Sequence, residues 1–137
     1  MSIKGENKVI QDVYNALESY FAGKISGSLY PKDCRPLNSK LEDAIISGVN
    51  STADQIQEGT IKLNVYVPDI DNGTKRNVPN ISRLQAIEDL SESIISTLCS
   101  SSAEYKFYQG MSPASINDPE VNQHFINFDI KFNRITF

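Results

Sequence analysis

Two segments of the chain alternate apolar and polar residues, and this pattern constrains the fold more than any other. From Thr60 to Val67 the odd-numbered residues are aliphatic, and the even-numbered ones are mostly polar. From His124 to Phe132 the even-numbered residues after the histidine are aliphatic or aromatic. Because successive side chains of a strand point to opposite faces, each segment predicts a strand with one buried face. An antiparallel or mixed sheet that is covered on one face contains such strands.

Two other segments have the spacing of amphipathic helices. Between Lys8 and Phe21 the apolar residues fall on one helical face, and Gly23 marks the end of that helix. A second helix is predicted to run to about Leu98, with Asn80 or Ser82 as its cap. We therefore expect an α+β fold in which two amphipathic helices pack on one face of the sheet. The 137 residues are expected to form a single domain, 1–137.

The remaining segments predict short strands and loops. Residues 43–49 and 105–108 have the composition of strands. Pro31 and Pro36 bracket a segment that we expect to be extended, because proline restricts itself and the residue before it. Three polar intervals are expected to be loops, and they are Asn50–Glu58, Asp69–Pro79 and Gln109–Gln123.

Charge and cysteine content argue against several classes of protein. The net charge is −4, and the densest basic site is the pair Lys75-Arg76, whereas nucleic-acid binding uses clustered cations. The two cysteines, Cys34 and Cys99, are too few for a disulfide framework and are expected to be free thiols in a reducing compartment. The first residues contain no apolar segment of a signal peptide, and no apolar run is long enough to predict a membrane span.

Few residues are candidates for catalysis. The only histidine, His124, begins a predicted strand, and no serine or cysteine is obviously placed beside it. Several carboxylates could act in pairs, but no spacing distinguishes one pair. There is no phosphate-binding glycine motif and no cluster of metal ligands. We therefore predict no catalytic, cofactor-binding or metal-binding residue and expect a protein that is not an enzyme.

The central region of the chain contains three distinctive phrases, which are Gly27-Ser-Leu-Tyr-Pro, Arg35-Pro-Leu-Asn-Ser-Lys-Leu-Glu-Asp-Ala-Ile-Ile-Ser and Gln57-Glu-Gly-Thr-Ile-Lys-Leu-Asn-Val-Tyr-Val-Pro-Asp. Together with the first helix, the helix from Ser82 to Leu98 and the closing strand from Phe125 to Phe132, these phrases resemble the tail-completion, or tail-terminator, proteins of long-tailed bacteriophages and prophages. The resemblance covers most of the chain. These motifs are structural rather than catalytic.

The resemblance implies a non-enzymatic virion protein of the tail and neck, assembled in the cytoplasm of a bacterial host. Members of this family form rings, often hexameric, that cap the tail tube and join it to the head. The implied partners are further copies of the chain, the tail-tube protein and the head–tail connector proteins. DNA passes through such a ring without specific binding, and neither a cofactor nor a membrane is implied.

Exposed loops and strand edges are the features that an assembly protein needs. We therefore take the three polar intervals as candidate interfaces. Their representative residues are Asn50, Asp54, Glu58, Asp69, Asp71, Lys75, Arg76, Met111 and Asp118. The alternatives are a connector protein on the head side of the neck and a bacterial module that binds a small molecule or peptide. An enzyme would use His124 and a nearby carboxylate.

Overall fold

The computed structural model describes residues 3–71, 73 and 77–135. Three helices and eight strands follow one another along this part of the chain. They are α1 (Glu6–Phe21), β1 (Leu29–Tyr30), β2 (Ala44–Ser51), β3 (Ile56–Pro68), β4 (Ile70–Asp71), β5 (Asn77–Val78), α2 (Ile81–Glu88), α3 (Ser91–Ser101), β6 (Tyr105–Gln109), β7 (Ala114–Asp118) and β8 (Gln123–Ile135).

Six of the strands form one mixed sheet, as predicted. The order is β1-β2-β3-β8-β6, and β7 also pairs with β8. The long strands β3 and β8 are antiparallel from Ile56↔Ile135 to Pro68↔Gln123, whereas β1 is parallel to β2. Strand β6 borders the second half of β8, and β7 borders its first half. We call the end at Ile135 the hairpin end and the end at Gln123 the loop end.

The core lies between one face of this sheet and the helices. Neighbouring strands contribute buried pairs such as Leu63↔Phe128 and Val65↔Ile126, which confirms the predicted alternation. Helix α1 buries the apolar face that the sequence predicts, and Gly23 follows it with φ +82°. A positive φ is easily adopted by glycine, so the predicted end of the helix is confirmed. The opposite sheet face carries no helix in the described residues, and we call it the open face.

The second predicted helix is divided into two. Asn80 caps α2, as predicted, by accepting a hydrogen bond from the Arg83 backbone N–H. The Leu90 N–H then bonds the carbonyl of Ile87 at 3.0 Å, which tightens the chain into a turn before α3 begins. The prediction of one continuous helix was wrong because the apolar spacing persists through the turn and so does not reveal that the helix is interrupted at Asp89 and Leu90.

The segment between Pro31 and Pro36 is a turn rather than an extended segment. The Cys34 N–H donates to the carbonyl of Pro31 at 3.1 Å, and Asp33 has φ +63°. The extended residues are those of β1, immediately before Pro31.

Two of the predicted loops contain strands. The interval 109–123 holds β7, and the interval 69–79 holds the small hairpin β4–β5. In the interval 50–58, Asn50 and Glu58 lie within β2 and β3, so that residues 52–55 form the tip of a hairpin.

Candidate functional site

The outer edge of β2 is paired with β1 at Ala44 and Ile45, and further along it is occupied by a side chain of α1. The Val49 N–H donates to Glu6 Oε2 at 3.1 Å, and Lys32 Nζ lies 3.2 Å from Glu6 Oε1. The Val49 hydrogen bond, with a further contribution from Lys32, lowers the pKa of the Glu6 carboxyl below its usual value. A bulge between Ile46 and Gly48 also interrupts the pairing of β2 with β3. An occupied and bulged edge is a poor template for pairing with another chain.

Beyond this edge, residues 31–42 form a strap that crosses onto the open face. Arg35 Nε donates to Asp43 Oδ2 at 2.8 Å, and its terminal nitrogen donates to Gln123 Oε1 at 2.8 Å. The Arg35 guanidinium lies 4.2 Å from the centre of the Tyr66 ring. Ser39 Oγ also donates to Asp43, whose side chain is completely buried. The strap is therefore fixed by a buried polar network rather than by apolar packing.

The outer edge of β7 is the opposite case. Residues 114–117 are exposed, and Ile116 is 43% exposed. Across the described part of the chain, the backbone groups of residues 114–117 that do not face β8 have no hydrogen-bond partner. Met111, in the preceding turn, is 73% exposed. This edge can accept an additional strand.

The predicted interface residues do not form one surface. Asn50, Asp54 and Glu58 lie at the hairpin end. Asp71 and Asp118 lie at the loop end, where Asp118 is the last residue of β7. Since β3 has 13 residues, the two groups are separated by roughly 40 Å along the sheet. Met111 lies beside the edge of β7. Lys75 and Arg76 lie outside the described residues.

Asp69 faces the interior rather than a neighbour. Its Oδ1 lies 2.7 Å from His124 Nδ1, and the two side chains are only 7% and 18% exposed. The pair joins the end of β3 to the start of β8. A histidine held by a carboxylate is the base half of a catalytic triad, but within the described residues no hydroxyl or thiol bonds to His124. In the part of the chain that the structure describes, the pair therefore links two strands.

The open face brings together cations that are distant in sequence. Lys62, Lys106 and Lys131 lie on adjacent strands β3, β6 and β8. Lys62 Nζ pairs with the carboxylate of Asp129, which also accepts a 2.9 Å hydrogen bond from the Met111 N–H. Burial favours the neutral acid at Asp129, but these bonds and the Lys131 charge outweigh it and lower its pKa. Lys106 and Lys131 make no ion pair with another described residue.

A second polar network joins Lys4 to α1, β6 and the end of β8 at the hairpin end. Lys4 Nζ lies 2.6 Å from Asp12 and 3.0 Å from Glu104, and Glu104 accepts a 2.5 Å hydrogen bond from Arg134. The Tyr105 hydroxyl donates to Asp12 at 2.6 Å, and burial together with this carboxylate raises the pKa of Tyr105. Strand β8 stays paired with β3 as far as Ile135.

Other features of the described residues do not single out a ligand site. Cys34 and Cys99 are free thiols. Residues 3–71, 73 and 77–135 hold no group of three side chains able to bind a metal ion. No helix within those ranges is both long and apolar enough to cross a membrane. One of the larger surface depressions, about 380 Å³, lies on the open face beside Tyr108 and Lys131. Comparison with models of known protein families and with curated proteins finds no match.

The features that sequence reasoning missed are the edge of β7 and the lysines of the open face. Residues 114–118 contain one β-branched residue and are flanked by Pro113 and Pro119, which indicate a loop. The alternating patterns do contain a signal for part of the cation cluster, because they place Lys62 and Lys131 on polar faces. Only strand order shows that these faces are adjacent.

Proposed function

We propose that the protein is a structural subunit of the tail-completion type, which forms a ring at the end of a phage tail tube and stops its growth. The observation that carries this proposal is the unpaired outer edge of β7. A terminating subunit has to bind the last ring of a growing tube, and adding a strand to an exposed edge is a common way for two protein chains to bind. A tube subunit adds its strand at β7.

The contrast with β2 supports an assembly role for β7. Natural sheets protect their edges against unwanted pairing with bulges, charged residues and covering segments. This chain applies a bulge, Glu6 and the strap at the edge of β2. Residues 114–117 of β7 have no bulge, charged side chain or covering segment among the described residues, and Ile116 and Met111 expose apolar surface there. An edge that is left open beside apolar side chains is suited to a permanent partner.

The same edge supports a second candidate function, a module that binds an extended peptide. Peptide-binding domains also add a strand to an open sheet edge, and side chains of alternate residues then supply specificity. The two functions differ in their product, since a peptide module forms a complex of fixed size and a terminator changes the length of a tube.

Electron microscopy of the protein mixed with a tail-tube protein encoded in the same gene cluster tests the proposal. Capped tubes of limited length, or rings at tube ends, are the expected result. Tubes that keep growing without caps, beside free protein, would contradict a terminating role and favour the peptide-binding module.

A pair of proline substitutions tests the edge itself. Successive residues of a strand direct their N–H groups to opposite sides, so of the N–H groups of Ser115 and Ile116 one faces β8 and the other faces outward. Proline has no N–H group, so Ser115→Pro and Ile116→Pro each remove one of these two groups. The variant that loses the outward N–H should keep the stability of the unmodified protein and lose capping, whereas the variant that loses the N–H facing β8 should be less stable. Capping by both variants at the level of the unmodified protein would exclude the β7 edge.

A further inference from the structure

Three lysines form a diagonal across the open face. Strand register places Lys62 beside Asp129, Lys131 beside Tyr108, and Lys106 beside Asn133. Each lysine is thus one strand and two residues from the next, a step of about 8 Å between Cα atoms. Because Asp129 neutralises Lys62, Lys106 and Lys131 give this part of the face an unpaired positive charge.

The strap covers part of the open face, because Arg35 lies over the Tyr66 ring. No strap residue lines the depression beside Tyr108 and Lys131, so this part of the face is left uncovered by the strap. Tyr108 is 40% exposed, and aromatic residues are enriched in protein interfaces.

An opposite charge lies on the helical side of the molecule, where α2 meets α3. Glu88, Asp89 and Glu92 occupy this junction, and none of them makes a salt bridge within the described residues. Asp89 and Glu92 are exposed, and Glu88 is half-buried. The chain therefore presents unpaired cations on one side of the fold and unpaired carboxylates on the other.

We infer that the open face binds the α2–α3 junction of a second copy of the chain. This places carboxylates against Lys106 and Lys131, and it covers the exposed ring of Tyr108 with the helices of the neighbour. Two different surfaces meet, so the contact is heterologous and closes into a ring when the rotation between neighbours permits. The inference rests on the proposed assembly role and assigns the contact between ring subunits, whereas β7 is left for the tube.

Sedimentation velocity with charge-reversal variants tests this contact. The unmodified protein is expected to associate as its concentration rises, and added salt should weaken that association. Lys106→Glu/Lys131→Glu and Asp89→Lys/Glu92→Lys should each weaken it by about tenfold or more. An equimolar mixture of the two variants should associate again, because each supplies the charge that the other lacks. Unfolded chains could not give this recovery.

A matched control is Lys8→Glu, which reverses one exposed lysine on α1, away from both surfaces, and is compared with the single variant Lys106→Glu. This variant should associate as the unmodified protein does. The neutral variant Lys106→Gln/Lys131→Gln covers the case in which two new carboxylates beside Asp129 prevent folding, and it should also weaken association.

Two outcomes would overturn the inference: a protein that stays monomeric up to its solubility limit, and association that survives both charge reversals. A single-stranded oligothymidine that binds through Lys106 and Lys131 while the protein remains monomeric would identify a nucleic acid as the occupant instead. Tube capping is measured separately. If the protein caps tubes but the contact between the open face and the α2–α3 junction is absent, the proposed function stands and this inference fails. If the protein self-associates through that contact but does not cap tubes, this inference stands and the proposed function fails.

Discussion

The two edges of the sheet differ in how their backbone groups are satisfied. At β2 the carboxylate of Glu6 accepts a hydrogen bond from Val49, and the strap is fixed by Arg35 and Asp43. At β7 the outward groups have no partner among the described residues. Edge protection is common in natural sheets, so its presence at one edge of this molecule makes its absence at the other informative. This difference is the basis on which we propose that β7, rather than β2, binds a partner.

The largest loss of stability at the protected edge is expected from Asp43→Ala, which removes the ion pair that fixes the strap. Asp43 is completely buried, and its removal leaves the Arg35 guanidinium without its carboxylate. Breaking a buried ion pair in this way typically lowers the free energy of unfolding by about 3–5 kcal/mol. Urea denaturation measures the loss, which should appear as a lower midpoint at unchanged slope. Asp43→Asn retains an acceptor and should cost less. Equal stability of Asp43→Ala and the unmodified protein would show that the strap does not depend on this pair.

A smaller loss of stability is expected from Gly27→Ala. A Cβ atom at Gly27 would overlap the Asp43 carboxylate and lie 2.6 Å from the Glu42 carbonyl oxygen. Overpacking of this kind typically costs about 1–3 kcal/mol. Gly5→Ala is the matched control, because a Cβ there has nothing within 4 Å. Thermal unfolding followed by circular dichroism compares the two, and equal melting temperatures would contradict the expected overlap.

Opening the protected edge is expected to change association more than stability. Glu6→Ala frees the Val49 N–H, so that β2 becomes available for pairing with another chain. We expect a small decrease in melting temperature and new aggregates that light scattering detects. Glu18→Ala removes a carboxylate from the same helix without touching the edge and should not aggregate. Similar scattering from both variants would mean that Glu6 does not protect β2.

The smallest expected effect is a pH dependence of the stability that Glu6 contributes at the β2 edge. Because the pKa of Glu6 is lowered in the folded state, its contribution to stability is present above its usual pKa of about 4. That contribution is lost as the pH falls through the lowered value. Glu6→Gln should therefore reduce the loss of stability on acidification, as measured by unfolding at a series of pH values. Parallel curves for the two proteins would exclude a role for this carboxylate.

Local patterns predict most of the elements correctly. The alternation in Thr60–Val67 and His124–Phe132 identifies the two central strands and their buried faces, and the helical spacing identifies α1. These predictions succeed because burial of one face imposes a period on the sequence itself. The turn before α3 does not interrupt the helical spacing of the apolar residues, and β7 has no alternating pattern, so the predictions of a single helix and of a loop were wrong.

The candidate surfaces depend more on pairing between distant residues than the central strands and α1 do. The free edge of β7 exists because β6 and β7 share one side of β8. Asp69 was predicted to be an interface residue but turns inward, because the pairing of β3 with β8 brings His124 within hydrogen-bond distance. No local pattern contains this information, since each contact joins residues that are far apart in the chain.

The sequence by itself determined the α+β class, the face of each long strand and the amphipathic first helix, because each follows from the spacing of apolar residues within one segment. Tertiary structure alone decided which sheet edge is covered and which is open. It also aligned Lys62, Lys106 and Lys131 on one face. Strand order and register set these features, and both depend on the packing of the whole core.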